Sequence, residues 1–125
     1  MTLKFDTRET YMQIIPENSI LDANMTENLM QSIQKNDHNG INNFIIDLSN
    51  CHKYEIEANE PLMELHDLVY NRMNGSIVFT NLNSEVFNKI KQERLHLSLN
   101  ITPTLVEAVD IINMEVLERD ILGEE

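Results

Sequence analysis

Phe44, Ile45, Ile46 and Leu48 form a short, nearly continuous apolar run, interrupted only by Asp47 and closed by Ser49 and Asn50. A run of this length, rich in β-branched and aromatic residues, predicts a buried parallel strand. Leu62, Leu65, Val69 and Met73 then recur at spacings of three, four and four. That is the period of a helix resting one face on a sheet. A buried strand is therefore expected to hand the chain to a helix across the loop from Asn50 to Asn59. Loops at the carboxyl ends of strands are where open α/β sheets meet their ligands, so this loop is the first candidate for a site.

The remaining pattern supplies the other elements. Leu3–Phe5 and Tyr11–Ile15 predict an antiparallel hairpin at a sheet edge, turning through Asp6, Thr7 and Arg8 and ended by Pro16. Asn24 with Glu27 offers a cap for a helix whose face carries Met25, Leu29 and Ile33, stopped by Asp37, His38, Asn39 and Gly40. The second helix begins at about Asn59 with Pro61 in its first turn, where a missing N–H does no harm, and closes at Asn74 and Gly75. Ser76–Thr80 reads as another buried strand, and Asn83 caps a helix carrying Val86, Phe87 and Ile90. Leu95, Leu97 and Leu99 alternate with His96 and Ser98, which predicts a last strand. Thr104 and Glu107 form a capping box ahead of Leu105, Val109, Ile112 and Val116, giving a terminal helix to about Leu122. Strands alternating with helices after a hairpin predict an α/β class with a mixed, mostly parallel sheet of four to five strands and about four helices.

The 125 residues suit one domain, and two would be hard to fit. The formal charge of −12 argues against nucleic acid or an anionic membrane surface as a partner. The cations Lys35, Lys89, Lys91 and Arg94 do not change this, because Asp37, Glu85 and Glu93 lie among them. Cys51 is the sole cysteine, so no internal disulfide can form. The opening MTLKFDTRET has no apolar leader core and no stretch is long enough to cross a bilayer, so a cytoplasmic location is expected.

Four strings, LDANMTENL (Leu21 to Leu29), FIIDLSN (Phe44 to Asn50), IVFTNLNSEVFNKI (Ile77 to Ile90) and ITPTLVEAVD (Ile101 to Asp110), occur in an order and spacing that resembles the STAS family, whose bacterial members act as anti-sigma factor antagonists. The resemblance covers nearly the whole chain. It implies a non-catalytic interaction module, without cofactor, whose partner is an anti-sigma factor that is also a serine kinase. In the phosphorylated branch, the loop after the central strand carries Asp-Ser followed by Gly-Leu, and phosphorylation of that serine breaks the complex. Counted without a gap from Asp47, Leu48 and Ser49, those positions fall here on Glu55, Ile56, Ala58 and Asn59. Isoleucine has no hydroxyl, so the switch, which adds about −1.5 to −2 charge and three acceptor oxygens, cannot operate at Ile56. Either the protein is an unswitched antagonist, or Glu55 and Glu57 partly mimic the phosphorylated form. The partner surface implied is Asp22, Ala23 and Asn24 at the first helix start, Glu55, Ile56, Glu57, Ala58 and Asn59 in the central loop, and Asn81 and Asn83 after the next strand.

Other chemistry is weaker. Cys51, His52, Glu55 and His66 lack the paired spacing of zinc ligands, and Cys51 is more simply a small buried apolar residue. Glu55, Glu57 and Glu60 could serve as acid and base, but their place near a helix N-terminus is explained by the helix dipole. Ser49 reads as a turn residue. Met25, Met30, Met63, Met73 and Met114 read as flexible core filling, with Met63 or Met114 an alternative contact surface. Residues 115 to 125 extend past the family's usual core, and Val116, Leu117, Ile121 and Leu122 could offer an apolar stripe for a homodimer. The alternative function is binding of a nucleotide or apolar metabolite, which asks for a pocket of several hundred Å3, roughly the size of a typical ligand cavity.

Overall fold

The computed structural model describes residues 2–35 and 40–123. The opening hairpin is β1 (Leu3–Thr7) against β2 (Met12–Pro16), antiparallel with Leu3 opposite Pro16. Its turn begins two residues later than the sequence suggests, since Arg8 N–H donates to the Tyr11 carbonyl at 2.8 Å and both Asp6 and Thr7 stay in the strand. Pro16 is tolerated as the last residue of β2 because its missing N–H falls at the strand end.

A two-residue strand β3 (Ile20–Leu21) leads into α1 (Ala23–Lys35), which buries Met25, Leu29 and Ile33 as its period requires. The cap is Asp22 rather than Asn24. Asp22 Oδ1 accepts from Met25 N–H at 2.9 Å and its carbonyl accepts from the Thr26 hydroxyl at 2.9 Å, while Asn24 is exposed one residue inside the helix. Asp37, His38 and Asn39, expected to stop α1, lie outside the described residues; Gly40 has φ +80.

β4 (Asn43–Asp47) is the predicted central strand, buried along its whole length. Two-residue β5 (Lys53–Tyr54) and a 3-10 turn, Ile56–Ala58, precede α2 (Asn59–Asp67), which widens into a π turn over Leu68–Arg72. β6 (Ser76–Thr80) is likewise fully buried, and α3 (Ser84–Gln92) is capped by Asn83, whose Oδ1 accepts from Val86 N–H at 2.8 Å. The segment expected as a last strand is instead a 3-10 turn, Leu95–Leu97. Arg94 enters it in the left-handed region, φ 61, and Leu97 and Ser98 donate back three residues to Arg94 and Leu95, which strand geometry forbids. The last strand is β7 (Ile101–Thr102), followed by α4 (Leu105–Gly123) with the Thr104–Glu107 capping box in place.

The main sheet has the order β1-β2-β4-β6-β7, parallel throughout except for the first pair, and β3 pairs with β5 in a separate two-stranded sheet. Alternation along β4 and β6 sorts the core into two layers. Phe44, Ile46, Ile77 and Phe79 pack with α1, α2 and α3 on one face, while Ile45 and Val78 meet Ala108 and Ile112 of α4 on the other. Among the described residues no helix is long and apolar enough to cross a membrane. The segment expected as a C-terminal extension is, up to Gly123, continuous with α4.

Candidate interaction face at the strand ends

The small β3–β5 pair organises the site. Leu21 lies opposite Tyr54, and Glu55 N–H donates to the Leu21 carbonyl at 3.0 Å, so the residues following the two strands emerge side by side. Asp22, Ala23 and Asn24 thereby line one cleft, of about 210 Å3, with Glu55 and Glu57. Three carboxylates and a single helix start give this cleft a negative field.

Ile56 faces elsewhere. It opens the 3-10 turn ahead of α2 with 55% of its surface exposed, and lines a second hollow of about 180 Å3 with Tyr54, Lys89, Gln92 and Glu93. Asn59 joins this hollow to α3 by donating to Glu93 Oε1 at 3.4 Å. The Tyr54 hydroxyl and Asn59 Oδ1 are buried here without a hydrogen-bond partner. Burial, reinforced by the charges of Glu93 and Glu57, pushes the Tyr54 phenol up to about 12, so it is a neutral donor. Sequence reasoning missed Tyr54, Lys89, Gln92 and Glu93. The only available signal was the helical period placing Lys89, Gln92 and Glu93 on one side of α3, which identifies a face but not its neighbour.

Ala58 was expected on the partner surface and is instead fully buried, so its role is to seat the turn. Asn83 is spent structurally: besides capping α3, its amide donates to the Cys51 carbonyl at 3.2 Å and ties the β6–α3 loop to the loop after β4. Asn81 holds the turn between them with φ 61, a conformation asparagine tolerates, and lines neither cleft. Leu48 N–H donates to the Thr80 carbonyl at 2.9 Å, fixing these loops at one end of the sheet.

The loop after β4 is built for structure. Asp47 is buried but satisfied, accepting from Gln13 at 3.3 Å and from Ser49 N–H at 3.0 Å, which makes Ser49 a turn residue. The Cys51 thiol donates to the Asn18 carbonyl at 3.4 Å, and burial, with Asp22 nearby, pushes it up to about 11. A thiol so rarely ionised is a poor nucleophile. His66 stacks on Tyr70, ring centroids 4.6 Å apart, on α2. Among the described residues no group of three His, Cys, Asp or Glu side chains could hold a metal ion.

No protein-family profile and no curated protein matches the sequence. Solved structures do match in shape. A Thermotoga maritima protein assigned as an anti-sigma factor antagonist superposes with a TM-score of 0.75 at 12% identity, covering 89% of this chain and 94% of that one. An anti-sigma factor antagonist of Mycobacterium paratuberculosis gives 0.71 at 14% identity, with 90% and 93% covered. The chain adopts the STAS fold. The same fold is matched within the murine anion transporter Slc26a9, at 0.69 and 17% identity over 87% of this chain and 18% of the transporter. The strand-end loops described above therefore sit on a STAS scaffold whose helices α1, α2 and α3 cover one sheet face and α4 the other.

Proposed function

We propose that the protein is a non-catalytic signalling module of the anti-sigma factor antagonist type, binding an anti-sigma factor or serine kinase through the face formed by Asp22–Asn24 and the Glu55–Asn59 turn. The observation that carries this reading is Ile56. A large apolar side chain stands more than half exposed at the turn entering α2, between two clefts, where the resemblance puts the phosphorylated serine. Burying it against a partner would contribute about 1–1.5 kcal/mol, roughly tenfold in Kd. The unswitched form is favoured over the phosphate mimic because Glu55 and Glu57 line the cleft shared with Asp22, on the other side of the turn from the hollow that Ile56 lines.

The small-ligand alternative has less support. The apolar hollow lined by Leu82, Ser84, Phe87, Ile101, Thr102 and Pro103 measures about 220 Å3, below the roughly 300 Å3 at which drug-sized ligand pockets begin.

The test is affinity capture from the source cell's extract followed by calorimetry with the recovered partner. Wild type is expected to retain an anti-sigma kinase, Ile56→Asp to weaken it at least tenfold, and Ile56→Ser to bind and to accept phosphate. Recovery of the kinase by Ile56→Ser alone, or by neither protein, would overturn the proposal.

A further inference from the structure

The terminal helix α4 is apolar on two sides. Its inner side packs Ala108 and Ile112 on the sheet, flanked by Leu105, Val109, Ile111 and Val116. Its outer side carries Met114, Leu117 and Ile121, at spacings of three and four, each 57–59% exposed, with Val106 two turns earlier at 71%. A contiguous exposed apolar patch with a polar rim marks a contact surface. The outer stripe is rimmed by acid: Glu107 and Glu118 flank one side, Asp120 the other, and Asp110 interrupts it, all exposed.

The single cation of α4, Arg119, is turned inward. Its guanidinium donates to Ser76 Oγ at 2.8 Å and to Asn43 Oδ1 at 2.7 Å, so it offers nothing to the outer face. Glu115 is likewise committed, accepting from the Tyr70 hydroxyl at 2.7 Å. These bonds fix the inner side of α4 to the sheet and leave the outer side as a rigid platform.

We propose that the Met114–Leu117–Ile121 stripe of α4 docks a basic amphipathic helix of a partner protein. Charge selects the occupant. A second copy would bring the same acidic rim against itself with no free cation on either helix, and an anionic membrane would be repelled in the same way. A helix with apolar residues at i, i+3, i+4 and i+7 and lysines alongside would satisfy both stripe and rim. The proposal is independent of the partner assigned to Ile56, which lies in a different part of the surface.

The probe is a fluorescent synthetic helix of leucine and lysine in that pattern, titrated with the full chain and followed by anisotropy, beside its glutamate counterpart. Expected are micromolar binding of the lysine peptide, weakening with added salt, and no binding of the glutamate peptide. Leu117→Asn with Ile121→Asn, which changes no charge, is expected to weaken binding at least tenfold at unchanged melting temperature. Glu64→Gln on α2, which removes one negative charge without touching α4, is expected to leave it intact. Binding unaffected by the asparagine pair would reduce the effect to diffuse attraction by an acidic protein and overturn the proposal. So would sedimentation showing a dimer that the asparagine pair dissolves, since the second copy would then be the occupant.

Discussion

Gly75→Ala isolates how tightly β4 and β6 are held together. Gly75 has no need of unusual backbone angles; it is the space beside it that matters. A Cβ added there would stand 2.8 Å from the carbonyl carbon of Asn42 and closer still to its oxygen. Both are backbone atoms, so no side chain can swing away. Asn42 is itself pinned, its amide donating to the carbonyls of Met73 and Asn74 at 3.0 and 2.9 Å, and the next residues, Asn43 and Ser76, open the β4–β6 ladder. Relief must come from shifting two central strands, which places the cost at about 3 kcal/mol or more. For a chain of this size that is a fall of roughly 10 °C or more in Tm. The controls are the other two glycines. Gly40 has φ +80 but open space, so Gly40→Ala should cost only about 1 kcal/mol of backbone strain, and Gly123→Ala, in open space, should stay within about 0.5 kcal/mol. Thermal melts by circular dichroism give the order. A Gly75→Ala protein melting within about 3 °C of wild type, or above Gly40→Ala, would refute the close-approach reasoning.

Tyr70→Phe removes bonds to Glu115 and Asn100 beneath α4, and should lower the unfolding free energy in urea by about 1–2 kcal/mol. Asn83→Ala loses both the α3 cap and the tie to Cys51, a loss of about 1–2 kcal/mol by the same measurement. His66 titrates below its ordinary 6.5, chiefly because burial disfavours its charged form, against the opposing pull of Asp67 and Glu115. A depressed folded value means the unfolded chain binds the proton more readily. The His66 contribution is therefore present above pH 6.5 and lost as pH falls through the lowered folded value; urea midpoints should drop over that window in wild type and flatten in His66→Gln.

What the sequence revealed followed the length of each signal. β4, β6 and the four helices carry enough periodic positions to be legible, and the Asn83 and Thr104–Glu107 caps were readable because the capping chemistry is local. β3, β5 and β7 have two residues each, too few for any period, and exist because a neighbour accepts their hydrogen bonds. The leucines at 95, 97 and 99 misled for a related reason. Leu95 and Leu99 are buried while Leu97 is 73% exposed, a pattern that spacing four in a helical turn satisfies and strand alternation, which would put all three on one face, does not. Asp22 and Asn24 compete for one cap, and β3 settles it by ending the extended chain at Leu21. The surface around Ile56 needed the fold itself, because Lys89, Gln92 and Glu93 reach it only through the packing of α3 beside β5.

The two ends of the sheet carry different burdens, and this decides which positions can change without disturbing the scaffold. At the amino ends of β4 and β6, Asn43 accepts from Arg119 and from Ser76 N–H and donates to the Thr10 carbonyl, so one buried side chain joins the hairpin, two central strands and α4. A change there breaks several bonds at once, and buried networks tolerate that poorly. At the carboxyl ends, the pairing of β3 with β5 and the Glu55 N–H bond to the Leu21 carbonyl are backbone bonds, which do not depend on which side chain follows. Ile56 stands outside the core at that end, so its side chain can be exchanged while every bond of the sheet stays intact. Ala58, two residues on, has no such freedom because it is buried beneath the turn. Position 56 is thus one the fold leaves free to vary.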